Sequence, residues 1–121
     1  MKIAHPARRT VDAVQLLLGA GLIASPWFAG YIDDQYASYN AWASGAVAAL
    51  VALAALIAQW KWLPWVMSAI ALWTVAAPWA LGFQAVQHAM WSHAGIGAAL
   101  LAAAIADLAA ARATPKTKQA A

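Results

Sequence analysis

Cysteine is missing from this chain, and charge is scarce: only 9% of its 121 residues are Asp, Glu, Lys or Arg. The first absence excludes disulfides, thiolate nucleophiles, thiolate zinc sites and iron–sulfur ligation. It carries no information on compartment. The second absence weighs more. A soluble domain has about 25% charged residues, whereas 65% of this chain is hydrophobic. So little charge cannot keep such a chain in water, and its natural solvent is lipid. A nucleophile–base pair, a glycine-rich phosphate loop and a zinc motif are also lacking, so no catalytic residue, metal or cofactor is expected and the chain does not read as an enzyme. The net charge of +3 and the pI of about 9.6 raise the question of nucleic acid. The seven basic residues lie at the termini and in one loop, with no basic stripe to track phosphates, so nucleic-acid binding is excluded.

What is present is long apolar runs. A membrane-crossing helix needs about 20 mostly apolar residues, and four segments qualify: Val11 to Gly30, Ser38 to Gln59, Leu63 to Phe83 and Ala89 to Ala111. The polar stretch Tyr31 to Tyr36, the segment Gln59-Trp60-Lys61-Trp62 and the stretch Gln84 to His88 separate them. Pro64 suits a first helical turn, where its missing N–H is no loss. Span one is preceded by cations, as a signal peptide is, but Ser25-Pro26-Trp27-Phe28 is a poor cleavage site and the segment reads as a retained span.

The cations set the orientation. Lys2, Arg8 and Arg9 precede span one, Lys61 lies between spans two and three, and Arg112, Lys116 and Lys118 follow span four. With four spans all seven fall on one side, and three or five spans would scatter them. The opposite side holds Asp33, Asp34, His88 and His93. Both termini are therefore expected in the cytoplasm. Trp60, Trp62 and Trp65 gather at that end and Trp27, Trp42, Trp79 and Trp91 at the other, as indoles favouring the headgroup layers do, leaving Trp73 in mid-span.

The chain also repeats itself. Ser25-Pro26-Trp27-Phe28-Ala29-Gly30 closes span one, and Ala77-Pro78-Trp79-Ala80-Leu81-Gly82 closes span three with Pro, Trp and Gly at the same spacing. An Ala/Gly-rich helix follows each, opened by Ala41-Trp42-Ala43-Ser44-Gly45 and by Trp91-Ser92-His93-Ala94-Gly95. Each half has two spans, so both insert in the same direction, related by a pseudo-twofold axis along the membrane normal. The expected fold is all-α: an integral membrane four-helix bundle of two parallel helical-hairpin repeats. Its parts are a tail over 1–10, a first repeat over 11–59, a loop over 60–62, a second repeat over 63–111 and a basic tail over 112–121.

This pattern resembles the SPW-repeat family of small bacterial membrane proteins. The motif matches at Ser25, Pro26, Trp27 and Gly30, and again at Pro78, Trp79 and Gly82, with Ala77 in place of the serine. The resemblance covers about residues 12 to 110. It implies the four-helix topology and a bacterial cytoplasmic membrane, and it implies little about activity.

Physically, Pro26 removes a helical hydrogen bond and clashes with the carbonyl four residues back, so the helix should kink or end there. In lipid the freed carbonyl needs another donor, which the Ser25 hydroxyl can supply. Gly30 permits a left-handed closing turn. The motif reads first as a helix-ending device; framing a small pocket on the pseudo-axis is the alternative. Small residues four apart, Gly45 with Ala49 and Ala48 with Ala52, then Gly95 with Ala99 and Ala98 with Ala102, let helices approach closely. They serve the bundle itself or contact with another subunit.

Candidate chemistry is thin. His88 and His93 are possible ligands for a metal or haem iron. Five residues apart, they sit about 140° apart around a helix, and interfacial polarity is the plainer reading. Asp12 and Asp107 lie near the cytoplasmic interface, where Arg8, Arg9, Lys61 or Arg112 can pair with them. Asp33 and Asp34 make a poor calcium site without further oxygens. The leading expectation is an accessory or structural subunit in the lipid bilayer, assembling as a homo-oligomer or within a larger membrane complex. A small oligomeric transporter or channel, and a haem- or metal-binding protein, are the rivals.

Overall fold

The computed structural model describes residues 6–58, 60–83 and 85–113, with side chains from 9 to 110 within them. Among these residues there are four helices and no strand: α1 Pro6–Phe28, α2 Gln35–Ile57, α3 Leu63–Ala80 and α4 Gln87–Ala113. All four are long and apolar enough to cross a membrane. At 1.5 Å per residue, α2 alone is about 35 Å long.

Local chemistry sets the ends. α2 begins three residues earlier than the hydropathy suggests because Asp34 caps it, its Oδ1 accepting from the Ala37 N–H at 3.0 Å. Asp34 is thus committed to a helix start. Pro64 sits in the first turn of α3. α1 and α3 both finish two residues past a proline, and Gly30 and Gly82 follow at φ of 81° and 79°. At each, the N–H of the next residue reaches back to the proline carbonyl, Tyr31 to Pro26 at 3.0 Å and Phe83 to Pro78 at 2.8 Å. This is the six-to-one bond of a Schellman turn. It ends α3 at Ala80, short of the apolar run that continues to Phe83.

α1 packs chiefly on α2 and α3 on α4, while α1–α4 and α2–α3 contacts close the ring. The hairpins therefore lie side by side. Pro26 and Pro78, Gly30 and Gly82, and Gly45 and Gly97 are each 52 positions apart. The helix contacts repeat at that offset. In the first hairpin a Cβ on Gly45 would stand 2.7 Å from the Gly19 carbonyl oxygen and 2.9 Å from the Ile23 nitrogen. In the second, a Cβ on Gly97 would stand 2.9 Å from the Val75 nitrogen and 3.2 Å from the Ala71 carbonyl oxygen. The true counterpart of Gly45 is thus Gly97; Gly95, the match suggested by sequence, is exposed with open space beside it. The core forms two layers. Leu22, Tyr31, Ala37, Ala41, Ala77, Phe83 and Ala89 fill the end beneath the glycine turns. Ala48, Ala52, Met67, Ala71, Leu100 and Ala104 fill the rest. Alanine at so many of these positions is what allows the backbones to come close.

Candidate functional site

The paired Pro-Trp turns build the first cluster. Pro26 leaves the Leu22 carbonyl without its helical donor, and the Ser25 hydroxyl donates to it at 2.8 Å. Gly30 then folds the chain under the helix end, so that Tyr31 is 3% exposed and its hydroxyl hydrogen-bonds to the Ser25 hydroxyl. Burial pushes the Tyr31 phenol above its ordinary pKa, outweighing the hydrogen bond with Ser25, which pulls it down. Phe83 occupies the matching place in the second half and is equally buried. Trp27 and Trp79 point outward, and Trp27 lies against Trp42 with ring centroids 5.4 Å apart. The motif thus exposes an indole and buries the aromatic after its glycine.

One imidazole sits between those aromatics. His93 is fully buried, edge-on to Phe83 at 4.8 Å and 6.1 Å from Tyr31. Its Nδ1 lies 2.9 Å from the Ala89 carbonyl oxygen. A carbonyl only accepts, so Nδ1 carries the proton and Nε2 presents a lone pair. Nε2 is shielded and has no hydrogen-bond partner among the described residues. His88 is exposed on another face of α4. The two histidines are therefore not brought together, and His93 belongs to the core rather than to the interface that its position suggests. Among the described residues no group of three or more His, Asp, Glu or Cys side chains is placed to hold a metal ion.

A second cluster lies at the opposite end of the bundle. Asp12 and Gln15 of α1 and Asp107 of α4, all buried, meet beside Leu63, Pro64 and Met67, with no room for a water molecule between them. Asp12 and Asp107, separate in the sequence, are thus brought together. The pairing expected for them with Arg8 and Arg112 falls on side chains outside the described residues. Gln15 is a residue that sequence reading passes over. Its signal is periodicity: Asp12, Gln15, Gly19, Leu22 and Pro26 recur every three or four residues and form the buried face of α1.

A groove of about 350 Å³ opens between α2 and α3, lined by Asn40, Ser44, Val47, Ala69, Ile70 and Trp73. The Trp73 Nε1–H donates to Asn40 Oδ1 at 2.8 Å, tying the hairpins together. Mid-span Trp73 therefore has a polar partner, and Asn40 is a second residue that sequence reading misses.

Comparison with known proteins agrees with this architecture. The SPW repeat domain model matches residues 9–107, a stretch that holds both Pro-Trp turns and both glycine contacts. No curated protein and no solved structure matches the chain. With four membrane-crossing helices and a match over most of its length, the chain belongs to the SPW repeat family.

Proposed function

We propose that this protein is a non-catalytic membrane subunit that assembles, with its own copies or within a larger membrane complex, through the outward face of α4. One observation carries the reading. Gly95, Ala98, Ala102, Ala106 and Ala109 are all exposed and recur at three- and four-residue spacing along α4. They form a smooth stripe about 21 Å long. In lipid, small side chains gain association energy only by letting another helix approach. At the 52-position offset the matching face of α2 carries bulky Leu50 and Ile57 where α4 has Ala102 and Ala109. Among the described residues the α4 stripe is left uncovered.

The distribution of polarity favours this over a conducting role. A flux path needs polar groups through the span. Asp12, Gln15 and Asp107 gather at one end, and Ser25, Ser38 and His93 toward the other. Between them the buried polar side chains among the described residues are Ser44 and Thr74, whose hydroxyl is spent on the Ile70 carbonyl, and the rest is the layer of Ala48, Ala52, Met67, Ala71, Leu100 and Ala104. The cytoplasmic position of both termini is part of the same proposal and rests on the seven cations.

The test is native mass in mild detergent, with identification of every retained protein. The wild type should run as an assembly, and G95L/A98L/A102L should run as a monomer with its helix content intact. Leucine has room at Gly95, where an added Cβ meets no atom within 4 Å. A wild type that is a lone monomer, or a triple variant that still assembles, refutes the reading.

A further inference from the structure

We propose that His93 is an acid-sensitive latch: its neutral ring holds the two glycine turns closed, and its protonation releases them. The latch rests on neither the assembly role nor the orientation of the termini.

The ring stands where the two halves meet. Tyr31 and Phe83, the residues that follow Gly30 and Gly82, flank it with ring centroids 6.1 Å and 4.8 Å away. The amides of those same two residues close the turns, on the Pro26 and Pro78 carbonyls. What encloses the imidazole is therefore also what a turn must move in order to open. The counterpart of His93 at the 52-position offset is Ala41, which is buried as well, so each chain holds a single latch.

The hydrogen bonds around the ring admit only its neutral form. Nδ1–H is spent on the Ala89 carbonyl. The Ser25 hydroxyl has one proton and donates it to the Leu22 carbonyl, so toward Tyr31 it accepts. The phenol proton is thus committed to Ser25, and Nε2 keeps a bare lone pair. A second proton on the ring would make Nε2 a charged donor, shielded from water and with no acceptor among the described residues.

No carboxylate stands by to offset that charge. The four in the chain are Asp12 and Asp107 at the opposite end of the bundle, Asp33, which is exposed, and Asp34, which caps α2. The remaining titratable groups of this end, Tyr36, Tyr39 and His88, are exposed, and α3 and the part of α1 beyond Asp12 carry none. A protonated ring must reach water, and parting the turns is what lets water in. The opened form takes the proton at the ordinary histidine pKa of about 6.5. Closure is therefore intact above that pH and is lost as the pH falls below it.

Hydrogen exchange of the wild type in lipid nanodiscs, corrected for the intrinsic pH dependence of exchange, tests this. Protection of the Tyr31 and Phe83 amides should fall by about tenfold for each pH unit below about 6.5. Ala52 and Ala104, in the other layer of the core, should keep theirs. His88→Gln, at an exposed site, should retain the response, and His93→Leu should lose it. The wild type and His88→Gln decide the matter even where His93→Leu folds poorly. Constant protection at both turns, an equal loss in the two core layers, or a response that vanishes with His88 or survives in His93→Leu overturns the proposal. So does an imidazole that takes up its proton, as read from its ring nitrogen shifts, while the turns stay protected.

Discussion

Ser25 and Tyr31 share a hydrogen bond, and the second repeat lacks both hydroxyls, with Ala77 and Phe83 at the matching positions. The two positions therefore behave as a pair. Ser25→Ala strands the Leu22 carbonyl and the Tyr31 hydroxyl in a dry site and should cost about 1–2 kcal/mol. Tyr31→Phe should cost less, since Ser25 keeps its bond to Leu22. The double variant reproduces the arrangement of the second repeat and should fall short of the sum by at least about 0.5 kcal/mol, as read by unfolding in mixed micelles. Strict additivity would show that the two hydroxyls are not coupled. Tyr31 also predicts a pH dependence. Its folded pKa lies above the ordinary 10.0, so the folded state holds the phenolic proton more tightly than the unfolded state does. The stability tied to that proton is intact below pH 10.0 and is lost as the pH climbs from there through the folded value. Thermal midpoints in detergent should fall more steeply above that pH in the wild type than in Tyr31→Phe; identical slopes would remove Tyr31 as the cause.

Between helices, the decisive contacts are backbone on backbone. Gly45→Val places atoms within 3 Å of the Gly19 carbonyl and the Ile23 nitrogen, neither of which can move aside as a flexible side chain would. It should destabilise the first hairpin by about 2–3 kcal/mol or prevent its pairing altogether. Gly21→Ala is the control. Its Cβ meets nothing within 4 Å, and the gain in helix propensity makes it neutral or stabilising by up to about 1 kcal/mol. The same micelle titration measures both, and a well-tolerated valine at Gly45 would contradict the close approach. At this scale the sequence is largely legible. Four spans follow from hydropathy, and two helix ends follow from the chemistry of Pro and Gly. The pairing of Gly45 with Gly97 does not follow, because α4 is so rich in small residues that several registers fit equally well. Gly95 attracts the match by its neighbouring tryptophan and serine, and only the packing of α3 against α4 separates it from Gly97.

At the scale of the whole molecule, the topology rests on seven cations, and the lack of cysteine makes it simple to examine. Asp33→Cys should react with a membrane-impermeant maleimide on intact spheroplasts, and Lys61→Cys only after permeabilisation. The opposite pattern inverts the protein. Much of the candidate sites is hidden from sequence for a related reason. His93 and Asp12 read as interfacial because they stand near span ends, and burial comes only when non-adjacent segments meet: His93 between the two glycine turns, Asp12 beside Asp107 across α1 and α4. Asn40 and Trp73 are 33 residues apart, and no local pattern joins them. The side-by-side hairpins carry one more consequence. Each is the equivalent of a subunit, and the connection from 58 to 62 makes their encounter intramolecular, at an effective concentration in the millimolar range for a short linker. In a dimer of identical hairpins every substitution appears twice, on both sides of the axis. Once the two are one chain, each can change alone, and His93 opposite Ala41, Trp73 opposite Gly21 and Ser25 opposite Ala77 are changes that only a fused pair can hold.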